Sequence, residues 1–169
     1  NGNVYYVGTF TGDSLVFGNV VLPSTWSSIN NIFLIKSTPS GNISWIKTAL
    51  GQDADFAFSV KTDHIGNVYI SGITMSSTLT FDNIVLNHIG SGTFDAFVAK
   101  YDSNGNNIWA KMIQGSENDY CVDLDVDQDG NIYVTGDSKS TSVNFGNNTI
   151  TKTGTRSATF IAKYDSSGT

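Results

Sequence analysis

Apolar and polar positions alternate along this chain with a period of two, and a 3.6-residue period is absent throughout. In residues 120–126, Tyr, Val, Leu and Val alternate with Cys, Asp and Asp, the pattern of a strand. A turn, Asp127-Gln128-Asp129-Gly130-Asn131, leads to a second strand over 132–135 that Gly136 closes. Asp63-His64-Ile65-Gly66-Asn67 is the same turn earlier in the chain. A small hairpin follows each second strand. In the first copy residues 15–17 and 20–22 flank Gly18-Asn19, and Asp82-Asn83 and Gly146-Asn147 take its place later. Such pairs tolerate the positive φ of a tight hairpin turn. A third strand over 94–101, the turn Asp102-Ser103-Asn104-Gly105-Asn106 and a fourth strand over 107–113 complete the unit. Pro23 and Pro39 are expected in loops, because proline cannot donate to a ladder.

The unit repeats every 64 residues. Gly2-Asn3-Val4-Tyr5 recurs at Gly66-Asn67-Val68-Tyr69 and as Gly130-Asn131-Ile132-Tyr133. Phe17 maps to Phe81 and Phe145, and Trp45 to Trp109. With one deletion near 155–158, Phe33 and Phe97 align with Phe160, and Lys36 and Lys100 with Lys163. Self-similarity at a fixed long period marks a repeat architecture.

Radial stacking of four-stranded antiparallel meanders buries both faces of each sheet, which is the propeller solution. A parallel β-solenoid has shorter repeats and lacks antiparallel hairpin turns. WD-type repeats run about 40–45 residues and kelch repeats about 50; here the extra hairpin supplies the difference. The expected fold is therefore all-β, a partial β-propeller of about 2.6 blades. Its repeat units are 1–64, 65–128 and 129–169, and its blades lie at approximately 1–50, 55–114 and 119–169. The first blade lacks its opening strand and the last its fourth. Rings close with roughly four to eight blades, so the remaining blades are expected from the same longer chain or from another subunit. Both ends look like cuts inside an element.

Composition narrows the function. Charged residues make up 14% against roughly 25% in an average soluble domain, while aromatics at 12% argue against disorder. A net charge of −6 without a basic cluster disfavours nucleic acid as a partner. No apolar run approaches the roughly 18 residues of a membrane span. Cys121, the single cysteine, is expected to be a small buried hydrophobe.

The segment Asp127-x-x-Gly130-Asn131-Ile132-Tyr133-Val134-Thr135-Gly136 carries a family resemblance. So do Phe94-Asp95-Ala96-Phe97-Val98-Ala99-Lys100 and Asp102-x-x-Gly105-x-x-x-Trp109. Together they resemble the bacterial seven-bladed β-propeller repeat family, the SBBP-type repeats of secreted and surface proteins. The resemblance covers essentially the whole chain and is looser in the first copy, which reads Asn31-Ile32-Phe33-Leu34-Ile35-Lys36. It implies an extracellular or cell-surface location, a scaffold or adhesion role, and a protein or glycan partner. It brings no catalytic motif. Sialidase-type Asp boxes place Trp three residues after the turn Gly, whereas Gly41 to Trp45 and Gly105 to Trp109 are four. Quinoprotein-type repeats share Gly-x-x-x-Trp, in which the ring docks one blade on the next, but set the Asp one residue earlier.

Candidate chemistry is sparse. Asp125, Asp127 and Asp129 ahead of Gly130 resemble the start of a calcium loop, yet the twelfth position is Gly136 and the preceding unit has Lys61, Asp63 and Ile65. The plainer reading has Asp127 and Asp63 accepting backbone N–H bonds in their turns, with no cofactor and calcium as the weak alternative. His64 and His88 are expected at the surface, and Asp53, Asp55, Glu117 and Asp119 as solvated loop charge on one rim. Recurrence of Lys36, Lys100 and Lys163 points to blade packing or a shared salt bridge. The expectation is a non-enzymatic scaffold or adhesion/interaction module of a larger bacterial protein. The alternative is a propeller-fold glycan-active lyase or hydrolase with catalytic residues partly outside this chain.

Overall fold

The computed structural model describes residues 2–23, 29–89 and 92–169. The first unit contributes β1 (Val4–Phe10), a hairpin of β2 (Ser14–Phe17) and β3 (Val20–Pro23), then β4 (Asn31–Ser37) and β5 (Ile43–Leu50). The second adds β6 (Asp55–Thr62), β7 (Val68–Thr74), a hairpin of β8 (Thr78–Phe81) and β9 (Ile84–Asn87), β10 (Asp95–Tyr101) and β11 (Asn107–Ile113). The third adds β12 (Asp119–Val126), β13 (Ile132–Ser138), a hairpin of β14 (Ser142–Asn144) and β15 (Thr149–Thr151), and β16 (Ala158–Tyr164). Every named element among the described residues is a strand.

The second unit forms a complete four-stranded antiparallel sheet, β6-β7-β10-β11. The first has β1-β4-β5 and lacks a strand outside β1; the third has β12-β13-β16 and lacks one outside β16. β6 lies against β1 on one side and β12 on the other, so the sheets stack face to face. The architecture is a partial β-propeller.

Two apolar layers fill the two seams. Between blades one and two, Ile32 and Leu34 meet Val68, Ile70, Phe97, Ala99 and Met112. Between blades two and three, Ala96, Val98, Trp109 and Ile113 meet Cys121, Leu124, Ile132 and Val134. Alternate residues of β10 thus point into opposite seams, and every position of that strand is buried. Its counterpart β16 has nearly the same sequence but one covered face, and Ile161 is 75% exposed where Val98 is 0%.

Two local readings change. Gly136 does not close its strand: β13 runs on to Ser138, and Gly136 lies opposite Phe160 in the register. Gly8 with Phe33 and Gly72 with Phe97 repeat that pairing, so the glycine makes room for a ring on the neighbouring strand. Alternation in β12 is interrupted by a bulge between Cys121 and Asp123, matched by one between Ala57 and Ser59 in β6. The extra residue shifts the inward phase, so Cys121 and Leu124 are buried while Val122 is 59% exposed. Bulges on edge strands also discourage pairing with a foreign strand.

The small hairpins leave their own sheets. β8 pairs with β5 of the preceding blade through Ala49 and Leu50, and an isolated bridge joins Asn144 beside β15 to Gln114 after β11. Hairpin β2–β3 stays a separate two-stranded sheet. Pro23 sits at the end of β3 opposite Ser14, not in a loop; a terminal position on a hairpin edge leaves no ladder donor missing.

Candidate interaction surface and blade seams

The recurrent Tyr, Lys and Trp positions converge on the seams. On blade one, Lys36 Nζ and Trp45 Nε1 both donate to the Ser103 carbonyl in the β10–β11 turn of blade two, at 2.7 and 3.1 Å. The Lys36 ammonium lies 5.8 Å from the centre of the Tyr5 ring, and Tyr5 tilts against Trp45 at 6.2 Å. One blade further on, Lys100 and Trp109 donate to the Ser166 carbonyl at 2.8 and 3.3 Å, with Lys100 over Tyr69 at 5.3 Å. Charge-assisted bonds and cation–π contact add to the apolar area of the rings. The Trp ring covers the turn glycine of the next blade: a Cβ on Gly105 would stand 2.9 Å from Trp45, and one on Gly168 2.9 Å from Trp109. The repeated lysines thus serve blade packing through a carbonyl, without a shared carboxylate.

Lys163 lies over Tyr133 at 5.2 Å in the same pose, on the face of blade three against which no other described blade packs. Lys100→Ala is therefore expected to cost about 1.5–3 kcal/mol, the range for a bond to a charged group, whereas Lys163→Ala in the 169-residue chain should cost less, since among the described residues no carbonyl of another blade accepts from Lys163. Urea unfolding of the two variants tests this; equal losses would mean that the lysine acts within its own blade.

The Gly2, Gly66 and Gly130 positions share positive φ, at 67°, 92° and 78°, which glycine adopts without a Cβ penalty. Asp63 accepts from the backbone N–H of Ile65 and Asn67, from Asn67 Nδ2 and from the Tyr69 hydroxyl. Asp127 repeats the set with Asp129, Asn131 and Tyr133. In both turns the acceptor bonds outweigh burial and hold the carboxyl below its usual range. Both oxygens of Asp127 are thereby engaged in the turn. Asp125 accepts the N–H of Val126, and Asp129 is an exposed turn residue. Among the described residues no three His, Cys, Asp or Glu side chains are grouped to hold a metal ion.

The three hairpin phenylalanines divide. Phe81 and Phe145 pack on Phe97 and Phe160 at 5.2 and 5.1 Å. Phe17 lies beside Tyr6 at 6.4 Å and is 38% exposed among the described residues.

Asp55 and Asp119 are not solvated rim charges. Both are fully buried at the start of the first strand of their blades. Asp55 accepts from Thr74 Oγ1 and Ser76 Oγ, and Asp119 from Ser140 Oγ. Burial pushes the Asp55 carboxyl up to about 6 against those bonds. Gly51 and Gly115 admit the serines: a Cβ there would fall 2.0 Å from Ser76 Oγ and 2.3 Å from Ser140 Oγ. The amides of Asp55 and Asp119 cross the seams to the carbonyls of Asn30 and Phe94, at 3.1 and 2.7 Å. Asp53 and Glu117 remain exposed.

His88 also departs from expectation, for its side chain is 1% exposed and its Nε2 lies 2.9 Å from Oδ2 of the buried Asp95. Nothing in the local sequence signals this, because burial of a loop histidine depends on which blade lies over it. His64 is exposed in its turn. Cys121 is buried, and burial raises its thiol to about 11, so it is an inert core group at neutral pH.

A chain of rings, Phe58 with Phe56, Phe56 with Phe94 and Phe94 with Tyr120, runs across the second seam at 6.5, 6.1 and 6.1 Å. Single turns did not reveal it, since Phe94 precedes the third strand of blade two and Tyr120 lies in the first strand of blade three.

Comparison with known proteins agrees with this geometry. The chain is 27% identical over 122 residues, 63% of its length, to the uncharacterized WD repeat-containing protein L264 of Acanthamoeba polyphaga mimivirus. The match spans 9% of that relative, so the chain corresponds to a small part of it. Residues 108–142 match the model of the SBBP β-propeller repeat, spanning the last strand of blade two and the first two of blade three. Residues 108–142 thus carry an SBBP-type β-propeller repeat, and the 64-residue period places like segments in the other units.

Proposed function

We propose that the chain is a non-enzymatic, extracellular or cell-surface scaffold, an adhesion or interaction module of a larger bacterial protein that engages a protein or glycan. One observation carries this reading. The ionisable groups in unusual surroundings, Asp55, Asp95, Asp119 and His88, are buried in the seams, and the turn aspartates are engaged by backbone N–H groups. What faces solvent at the turns is polar and mostly uncharged, as at Ser40, Asn104 and Ser167. Such surfaces suit adaptable hydrogen bonding to a partner more than bond breaking. The β-propeller repeat match and the WD-repeat name of the mimiviral relative support the interaction-scaffold part of this reading. Among the described residues no helix is long and apolar enough to cross a membrane.

The full-length protein, titrated against a polysaccharide panel and a panel of surface proteins, is expected to bind saturably without releasing product. Turnover of a polysaccharide would replace this reading with that of a glycan-active lyase or hydrolase. Protease shaving of intact source cells is expected to release peptides of the blades; full protection would remove the surface assignment.

A further inference from the structure

The two seams differ at the start of the third strand. In the first, Asn31 stands where the second has Asp95, 64 positions later. Asp95 is fully buried, and so is Asp119 on the facing blade. Neither Asp95 oxygen, nor Oδ1 of Asp119, has a well-aligned hydrogen-bond donor, and the groups nearest the Asp95 carboxyl are the Gly115 amide, Asp119 and His88. His88 Nε2 stands close to Asp95, but as a neighbour in space, not as an aligned donor. Buried oxygens without donors are costly, and two adjacent carboxylates cannot both stay ionised out of water. A proton held on Asp95 supplies a donor and removes the like-charge repulsion together.

We propose that the seam between blades two and three is a proton-operated latch, closed while Asp95 keeps a proton beside Asp119 with His88 behind it, and loosened when that proton leaves. The groups facing the pair are few. From the β9–β10 connection comes His88; from the start of β12 come Asp119 and, two residues earlier, the exposed Glu117. From the β13–β14 connection come Ser140, which donates to Asp119, and Lys139, whose amide bonds the Asn118 carbonyl. Among the described residues no lysine or arginine forms an ion pair with either carboxyl. Burial, followed by the charge of Asp119, raises Asp95 to about 8; burial lowers His88.

The sign follows from linkage. The closed seam keeps the Asp95 proton up to about pH 8, whereas an opened, hydrated carboxyl loses it near its ordinary value of 3.8. Opening therefore releases a proton throughout that window, and the closed state weakens as pH rises. His88 acts oppositely, and only below its ordinary value of 6.5, so the Asp95 effect is cleanest between about pH 6.5 and 8.

The test is amide exchange of the full chain, corrected for intrinsic base catalysis, at the two seam-crossing amides. The corrected opening constant at the Asp119 amide is expected to rise about tenfold per pH unit between 6.5 and 8. At the Asp55 amide it should be flat, because the carboxyl there titrates near 6. In Asp95→Asn, which copies the first seam, the rise at Asp119 should vanish. A rise of equal slope at both amides, or none at Asp119, overturns the latch. Because both amides sit in one wild-type molecule, the outcome stands even if Asp95→Asn does not fold. Loss of partner binding bears on the scaffold role alone.

Discussion

Gly72→Ala is expected to leave the protein without its cooperative fold. A Cβ at Gly72 would stand 1.9 Å from the Phe56 carbonyl oxygen, 2.8 Å from the Ala57 Cα and 2.8 Å from the Phe97 ring. Two of those neighbours are backbone in the bulged strand β6, held on one side by β7 and faced on the other by β12. Overpacking a core typically costs about 1–3 kcal/mol when side chains can shift; here the backbone itself would have to move, and total stability of a domain is only about 5–15 kcal/mol. Gly8→Ala is the control. The same position in blade one has no described strand beyond β1, and the atoms nearest its Cβ would be those of the Phe33 ring, at 2.8 Å. That ring can give, so a modest loss is expected. Circular dichroism and urea unfolding of the two variants decide the matter: equal, mild losses would show that strand β6 does not sit as described.

Trp109→Ala is expected to cost about 3–5 kcal/mol, the range for emptying a buried large aromatic site. The ring is 8% exposed and lies against Tyr69 and over Gly168, while its N–H holds the Ser166 carbonyl. Removing it opens a cavity at the seam and leaves that carbonyl to Lys100 alone. Trp109→Phe keeps most of the area and loses the bond, so it should cost about 0.5–1.5 kcal/mol for that bond. Trp45→Ala should be milder than Trp109→Ala because Trp45 is only partly buried. Denaturant midpoints with an unchanged slope would measure these differences. If Trp109→Ala cost no more than Trp109→Phe, the ring would be a hydrogen-bond donor and little else.

Much of the architecture was legible because it depends on local chemistry repeated in register. Asp63 and Asp127 announce their turns, since an Asp followed by Gly three residues on and Asn four on can satisfy the turn amides by itself. Trp45 and Trp109 declared a blade-packing role by recurring at one spacing from a turn glycine. Phase and burial were harder to read. The bulge between Cys121 and Asp123 shifts which residues face inward, and no composition rule marks where an extra residue will be accommodated. Asp55 and Asp119 looked like surface polar groups because their environment is supplied by residues 21 positions away in sequence, Ser76 and Ser140, and His88 because its loop brings it back onto the buried Asp95.

Taken alone, the order of residues determined the strands, the turns, their 64-residue period and the radial stacking of sheets, because each follows from side-chain alternation, turn chemistry and the need to cover two faces. Tertiary structure decided what each copy of the repeat experiences. Val98 and Ile161 occupy one repeat position, yet one is sealed and the other bare, because burial is conferred by the neighbouring blade. The same holds for Phe17 against Phe81, for Lys163 against Lys100, and for Asp95, which meets another carboxyl only when two sheets close on each other.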